Sequence, residues 1–186
     1  MLGAVIGDIV GSRFEADNHK SKEFDLFTSE CCLTDDSVMT LAVAKALLAS
    51  KEDWCQLSKN AVQYMQKVGR HYPDCGYGGH FFHWIFSEDP QSYGSYGNGA
   101  AMRISAVGFA ADSIEQAKSL SQAVTVVTHN HPEGIKGAEA TAVAIFLARN
   151  GASMDEIRDH IDKNYYLMDF TLDDIREDYT FDVTCQ

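Results

Sequence analysis

Three consecutive residues with oxygen-bearing side chains, Thr34, Asp35 and Asp36, open an apolar stretch whose spacing is typical of a helix. Thr34 or Asp35 could cap that helix, because one side-chain oxygen can accept a bond from a free amide of the first turn. A second adjacent carboxylate adds like-charge repulsion, which a divalent cation would relieve. An all-oxygen set suits Mg²⁺, Mn²⁺ or Ca²⁺ rather than zinc. Helix capping and metal binding therefore both explain these residues, and one helical turn cannot by itself complete a metal site.

A glycine-rich loop precedes another stretch of helical spacing. It is formed by Gly94, Ser95, Tyr96, Gly97, Asn98 and Gly99. Its glycines allow close approach of a ligand, and free amides at a helix start favour anions. Tyr96 could stack on a ring, Asn98 can both donate and accept hydrogen bonds, and Arg103 could neutralise a negative charge. An ordinary helix-entry loop with an Asn-Gly turn is the other interpretation.

Two further segments contain candidates for chemistry. His129 and His131 lie in a polar break between apolar stretches, but no third nitrogen or sulfur ligand has zinc-like spacing, so ligand contact or helix capping is favoured. Glu15 lies in a loop after the first predicted helix and could be a catalytic carboxylate. The chain has no nucleophile elbow, Walker loop or dinucleotide-binding fingerprint.

The composition sets limits on partners and compartment. The 186 residues are 45% apolar and carry a net charge of −12, which predicts one folded domain and argues against nucleic acid as a partner. The five cysteines form no C-x-x-C pair, which is typical of reduced thiols in the cytoplasm. The apolar start is interrupted by Asp8 and lacks a basic segment, so we expect neither a signal peptide nor a membrane span.

The apolar spacing predicts an all-α fold, a compact multi-helix bundle forming one domain over residues 1–186. Helices are expected at 2–11, 35–50, 54–70, 79–87, 99–111, 113–129, 132–149 and 153–164, with a loop at 14–33 and a strand candidate at 180–185. In the first helix, Gly3, Gly7 and Gly11 share one face, which predicts close approach of another backbone. Asp8 in the same helix must be paired, hydrogen-bonded or metal-linked if it is buried, and a satisfied structural role is favoured. The helix beginning at Pro132 is rich in small residues and should pack tightly.

Several of these motifs, taken in order, resemble the ADP-ribosylglycohydrolase family, which includes the dinitrogenase-reductase-activating glycohydrolases. The matching segments are Gly7–Glu15, Thr34–Ser37, Ser95–Arg103 and Thr128–His129. The resemblance implies an all-helical bundle with a two-metal centre, usually Mg²⁺ and sometimes Mn²⁺. It also implies a metal-dependent hydrolase that cleaves the glycosidic bond between ADP-ribose and a protein side chain or a small acceptor.

The resemblance assigns roles to the candidate residues. Thr34, Asp35 and Asp36 resemble the metal ligands of the family, and Glu15 resembles its catalytic or metal-proximal glutamate. The Gly94–Gly99 loop resembles the segment that cradles the diphosphate and ribose. His129 resembles the histidine that contacts the ligand.

One departure from the family pattern changes the expectation. The family completes its metal site with an Asp-x-Asp-Thr motif on a later helix, and this sequence contains none. The chain therefore resembles a family member lacking its C-terminal part, for which we expect weak or incomplete metal binding and self-association through uncovered apolar surface. The alternative is a non-catalytic member, either an ADP-ribose-binding protein or a structural, crystallin-like one.

Overall fold

The computed structural model describes residues 1–180 and 183–185, and its helices are joined by loops, of which the segment between the first two α-helices is long. The helices are α1 (Leu2–Gly11), α2 (Asp35–Ser50), α3 (Leu57–Gly69), α4 (Gly79–Phe86), α5 (Gly99–Met102), α6 (Ser105–Ala110), α7 (Ile114–Thr125), α8 (Pro132–Arg149), α9 (Met154–Asn164) and α10 (Leu172–Ile175). Short 3₁₀ turns, Ser12–Phe14 and Trp54–Gln56, follow α1 and precede α3. The predicted all-α fold class is confirmed.

The core forms where α2 and α8 each pack against several neighbours. α2 packs most extensively against α3 and also contacts α1, α5 and α6, while α8 packs against α5, α6, α7 and α9. The central contacts are made by fully buried side chains: Met39, Ala42, Val43, Leu57, Met65, Ile85, Ile104, Val107 and Val124. Burial of this apolar surface, at about 25 cal/mol per Å², stabilises the bundle. None of the helices in the described part of the chain is long and apolar enough to cross a membrane.

Small residues of α8 allow the close packing that the sequence predicts. A Cβ atom added at Gly134 would lie 2.8 Å from the carbonyl oxygen of Ser95, and one at Gly137 would lie 2.7 Å from the sulfur of Cys185. α8 begins with Pro132 in its first turn, and the His131 side chain caps it by accepting a bond from the amide of Glu133. The prediction of a tightly packed helix starting at Pro132 is confirmed.

The helix predicted over 2–11 is confirmed as α1, but the expected approach of another backbone to its glycine face is wrong. Val10 is the buried residue of this helix, and Cβ atoms added at Gly3, Gly7 and Gly11 would meet no atom within 4 Å among the described residues outside α1 itself. The glycine face therefore does not contact another backbone in the described structure. Gly7 and Gly11 instead border an open cleft.

The helix predicted over 99–111 is divided into α5 and α6. The chain turns at Arg103 and Ile104, and the hydroxyl of Thr40 donates to the carbonyl of Met102 at 3.3 Å. This bond from α2 satisfies a carbonyl that the break releases, so a tertiary contact favours the interruption.

Other helix boundaries also differ from prediction. The helix predicted over 113–129 ends at Thr125, and a turn follows in which the amides of Thr128 and His129 both donate to the carbonyl of Thr125. The predicted 54–70 helix starts as a 3₁₀ turn, in which Asp53 caps the amide of Cys55 at 3.0 Å. A single helical turn, α10, lies in the tail, where no long helix is expected.

The strand candidate at 180–185 is present as one isolated antiparallel bridge between Thr184 and Gly97. Phe181, Asp182 and Gln186 lie outside the described residues. The bridge joins the end of the chain to the glycine-rich loop.

The glycine contacts predict unequal effects of alanine on stability. In Gly108→Ala, the new Cβ would lie 2.6 Å from Cγ2 of Ile145 and 2.8 Å from the carbonyl oxygen of Ala142. We expect this clash between α6 and α8 to lower the free energy of unfolding by about 2 kcal/mol, despite the better helix propensity of alanine. Urea denaturation would measure the change.

Gly3→Ala is the matched control, because its Cβ would meet open space. Its stability should be unchanged or higher by up to about 1 kcal/mol. Equal destabilisation by both substitutions would contradict the close packing of α6 on α8.

Candidate active site

A cleft of about 730 Å³ lies beside the glycine face of α1 and the start of α2. The loops that precede α4 and α5 form its other walls, together with the turn after α7. Among the predicted site residues, those lining it are Glu15, Asp35, Asp36, Ser95, Gly97, Asn98, Gly99 and His129. Thr34, Gly94 and Tyr96 do not line it. Residues distant in sequence and predicted separately therefore face one cavity.

The carboxylate of Asp8 fixes the start of α2. It accepts bonds from the amides of Thr34 at 3.1 Å and Ser37 at 3.2 Å, and also from the hydroxyl of Thr34. Thr34 in turn caps α2 by accepting a bond from the amide of Asp36. The expectation that Asp8 has a satisfied structural role is confirmed, and the Thr34 hydroxyl is engaged in holding α1 to α2.

Asp35 and Asp36 extend from this fixed helix start into the cleft. Burial, then the charges of Glu15 and Asp8, raises the pKa of Asp35 to about 6. Burial, followed by the charges of Asp35, Asp8 and Glu15, raises the pKa of Asp36 to about 7. No ion pair among the described residues compensates either carboxylate. The helix start thus holds negative charge at a considerable free-energy cost.

The chemistry of this acidic edge suits a hard cation, because carboxylate oxygens are its preferred ligands. The described residues nevertheless bring no group of three or more His, Cys, Asp or Glu side chains into a metal-binding arrangement. The donors fit a divalent cation in kind, and further oxygen ligands would have to join Asp35 and Asp36.

Glu15 follows the 3₁₀ turn after α1 and borders the same cleft. Partial burial, then the charge of Asp8, raises the pKa of its carboxyl. Nearby Arg13 stacks on Phe14, 4.5 Å from the ring centroid, and donates a bond of 2.8 Å to the hydroxyl of Thr28. These contacts tie the predicted 14–33 loop to the end of α1 and so position Glu15.

The glycine-rich loop is held at both sides. Gly94 has a φ of +66°, which favours glycine, and its amide donates to the Asn130 side chain at 2.6 Å. The ring of Tyr96 is 44% exposed and lies 5.1 Å from that of His131, outside the cleft. Ser95 packs against Gly134 of α8. Part of the loop therefore anchors it, while Ser95 and Gly97–Gly99 face the cavity.

The end of the described chain is hydrogen-bonded to this loop. The amide of Asn98 donates to the carbonyl of Val183 at 2.8 Å, and the amide of Cys185 donates to the carbonyl of Tyr96 at 3.0 Å. The Cys185 thiol also contacts the carbonyl of Gly97. These bonds fix the loop backbone, and Val183 itself borders the cleft.

His129 forms a buried part of the cleft wall. Burial, together with the charge of Arg103, lowers its pKa to about 3, so the imidazole is neutral at physiological pH. Burial of Arg103 lowers its own pKa to about 10, and the guanidinium keeps its charge. The charges of the acids shift one another's pKa values, whereas the charge of Arg103 shifts the pKa values of His129 and Tyr93. The cleft consequently has an acidic edge and a separate region with buried positive charge.

The sequence interpretation missed another wall of the cleft. Gly76, Gly78, Gly79, His80 and Phe81 line it, as does Tyr93. The carbonyl of Cys75 accepts a bond of 2.8 Å from the Asp35 amide, and Gly76, with φ +104°, approaches the Asp35 carboxylate. The glycine run leading into α4 is the signal that could have identified this loop, because the same argument identified the loop before α5.

The comparisons with known proteins agree with this arrangement. The model of the ADP-ribosylglycohydrolase family matches residues 1–180. The chain belongs to the ADP-ribosylglycohydrolase family. Membership supports a glycohydrolase function, and the resemblance inferred from the motifs is confirmed.

Individual relatives match over most of this chain. It is 27% identical to ADP-ribosylhydrolase ARH3 of Xenopus tropicalis over 192 residues, covering 87% of this chain and 54% of that protein. It is 29% identical to ADP-ribosylhydrolase ARH3 of Homo sapiens over 188 residues, covering 84% of this chain and 50% of that protein, and the Mus musculus protein matches to the same extent. The chain thus spans about half the length of the curated relatives it matches.

The raised pKa of Asp36 predicts pH-dependent stability. Between its ordinary value of 3.8 and about 7 in the folded chain, rising pH ionises the unfolded state first, so stability falls. Asp36→Asn removes this cost. In the presence of chelator at about pH 8, we expect a gain of about 1 kcal/mol, discounted for solvent screening, or ~3 °C in Tm.

The gain should shrink as the pH falls through this range and disappear below about pH 3, where the aspartate is protonated in both states. Asp155→Asn, in the exposed first turn of α9, is the matched control and should leave Tm unchanged. A lower Tm for Asp36→Asn at high pH would contradict the repulsion at the helix start.

The bracing of the glycine loop predicts local opening when the terminal segment is removed. Deleting residues 183–186 removes the acceptor of the Asn98 amide. We expect hydrogen exchange at this amide to accelerate at least about tenfold. The amide of Asn150, bonded at the end of α8, should keep its protection. Unchanged exchange at Asn98 would show that the loop does not depend on the segment.

Proposed function

We propose that this chain carries the ADP-ribose site of a metal-dependent glycohydrolase that releases ADP-ribose from a modified protein side chain or small acceptor. The observation that carries the proposal is the shared cleft, which is lined both by the acidic start of α2 and by the glycine-rich loop. The whole reaction, its substrates and its metal dependence are part of the proposal.

The charge distribution supports an anionic ligand in an acidic protein. A diphosphate would be repelled by a net charge of −12 unless local donors or cations offset it. The buried charge of Arg103 beside the loop supplies such an environment. The amides of Gly97 and Asn98 already donate within the protein, to the Ser95 hydroxyl and the Val183 carbonyl. The proposed orientation therefore puts the diphosphate at the loop and the ribose carrying the scissile bond towards the acids.

Asp35 and Asp36 are the proposed holders of the cation, with Thr34 nearby as the third candidate from the sequence. The resemblance implies two Mg²⁺ ions, with Mn²⁺ as a substitute, and the carboxylate chemistry is compatible with either. When bound, such an ion supplies Lewis acidity at ribose and water oxygens. The Thr34 hydroxyl already bonds to Asp8, so its ligand role would require an available lone pair.

Glu15 is the proposed proton-transfer residue. Its raised pKa keeps the carboxyl closer to neutrality than an exposed glutamate, which suits proton transfer to a leaving group or from water. Negative charge along the acidic edge would stabilise the oxocarbenium-like transition state of glycoside cleavage. The chain's own residues therefore offer both proton transfer and electrostatic stabilisation.

Activity and ligand binding are tested together on the 186-residue chain. ADP-ribose release from an ADP-ribosylated protein is measured with Mg²⁺ and with chelator, and ADP-ribose affinity is measured by calorimetry. We expect weak Mg²⁺-dependent release, because further oxygen ligands would have to join Asp35 and Asp36, and we expect Asp35→Asn and Asp36→Asn to abolish it. Glu15→Gln should lower kcat at least about 100-fold with little change in affinity.

Asp155→Asn is again the matched control and should retain the parent rate. Unaltered turnover in the Asp35 and Asp36 variants would reject the ligand assignment. Binding of ADP-ribose without release under any metal condition would favour the second candidate, a non-catalytic ADP-ribose-binding or structural member. That candidate is compatible with one observation, that the described residues bring no group of three or more His, Cys, Asp or Glu side chains together at the acidic edge.

Self-association and a cytoplasmic location complete the proposal. Large apolar side chains are exposed on neighbouring helices, with Leu2 of α1 and Leu48 of α2 each 75% exposed. Such surface favours a homo-oligomer. The free cysteines among the described residues support a reducing compartment.

A further inference from the structure

Arg103 is a buried arginine whose charge has no carboxylate partner among the described residues. Its side chain is 1% exposed, and its guanidinium lies 5.5 Å from the centroid of the Phe81 ring. Nη2 donates a bond of 2.6 Å to the hydroxyl of Thr128, while Nε has no partner in the described structure. Burying a guanidinium against a neutral hydroxyl is costly, so the arrangement calls for a reason other than stability.

The hydroxyl of Thr128 also contacts the next residue. Its Oγ1 atom lies 2.8 Å from Nδ1 of His129, and both side chains are buried. A guanidinium can only donate, so the bond from Arg103 occupies a lone pair of the hydroxyl. If Nδ1 donated to the second lone pair, the hydroxyl proton would need another acceptor, and Thr128 Oγ1 has none among the described residues besides Nδ1. The hydroxyl proton is therefore directed to Nδ1, which acts as an acceptor. A neutral imidazole with an accepting Nδ1 carries its proton on Nε2.

Nε2 of His129 faces the glycine-rich loop. A Cβ atom at Gly99 would lie 3.2 Å from Nε2, and one at Gly97 would lie 3.6 Å away. All three residues line the cleft. The proton on Nε2 is therefore available to a group that enters beside the loop.

We propose that Arg103 and Thr128 are positioning residues that hold His129 as its neutral Nε2–H tautomer. His129 then presents a fixed donor to an acceptor oxygen of the ligand, such as a diphosphate oxygen beside the glycine loop. The identity of this ligand rests on the proposed function, whereas the tautomer does not. Because the ring can donate but not accept at Nε2, the site selects oxygens without protons over hydroxyl or amide donors.

The electrostatics agree with the hydrogen-bond geometry. Burial and the nearby charge of Arg103 lower the pKa of His129. The cationic form, in which both ring nitrogens donate, is therefore disfavoured at neutral pH. The proposed arrangement does not require any group to titrate. It requires that the hydroxyl proton of Thr128 point towards Nδ1 of His129.

The tautomer is measured directly by long-range ¹H–¹⁵N correlation spectra of the chain labelled at histidine nitrogens. In the parent protein, His129 should show a protonated Nε2 and an unprotonated Nδ1. Thr128→Val keeps the shape of the side chain and removes the hydroxyl, so the Nδ1–H tautomer should become populated. Thr128→Ser retains the hydroxyl and should restore the parent signature.

Thr125→Val is the matched control. Thr125 is also buried at the end of α7, and its hydroxyl has no partner in the described structure. The same chemical change there should leave the His129 signals unchanged. An Nδ1–H or cationic His129 in the parent protein, or an unchanged tautomer in folded Thr128→Val, would overturn the inference.

ADP-ribose titration of the same proteins tests the consequence for binding. Thr128→Val should weaken affinity about tenfold, as expected for a misdirected hydrogen bond to a charged group, while Thr128→Ser and Thr125→Val keep the parent affinity. Parent affinity in Thr128→Val despite a changed tautomer would overturn the positioning role. If ADP-ribose does not bind the parent chain, the proposed function fails, and the spectra still decide the tautomer.

Discussion

The bonds from Asp8 to the start of α2 are the constraint on which the site depends. One carboxylate on α1 accepts bonds from the amides of Thr34 and Ser37 and from the Thr34 hydroxyl, so it fixes the direction in which α2 begins. Asp35 and Asp36, the first residues of α2, therefore extend into the cleft. The bonds also place a third negative charge close to them, which contributes to their raised pKa values. The same contact thus orders the start of α2 and makes the ionised forms of Asp35 and Asp36 less favourable.

Repulsion at the acidic edge and positive charge near the loop divide the cleft into regions of different chemistry. A cation would relieve the repulsion at the acidic edge, and an anion would be favoured near the loop. A ligand carrying both a diphosphate and a cation-binding sugar satisfies both regions at once. This complementarity agrees with membership of the ADP-ribosylglycohydrolase family, which the match over residues 1–180 establishes.

Features fixed by short-range chemistry could be predicted from the sequence. The cap at Thr34 and the helix start at Pro132 follow from side-chain bonding and fixed backbone angles, and both occur as expected. The break at Arg103 could not be predicted in this way, because the local residues favour a helix and the bond from Thr40 comes from another element. The open glycine face of α1 was missed for the same reason, since spacing identifies a face but not what covers it.

The candidate site followed the same division. Its individual residues could be recognised from residue type, helix starts and family motifs. Their meeting in one cleft, the bracing of the loop by Val183 and Cys185, and the wall formed by Gly76–Phe81 depend on tertiary packing. Sequence reasoning consequently named many of the residues that line the cleft but not how they are arranged around it.

The interruption between α5 and α6 has a consequence for robustness. Gly99 and Arg103 stand at the two ends of one short turn, so covalent geometry sets the spacing between the loop amides and the buried guanidinium. If the outer helices shifted, Gly99 and Arg103 would move together as a rigid unit. Divergence elsewhere in the bundle can therefore accumulate while this spacing remains constant.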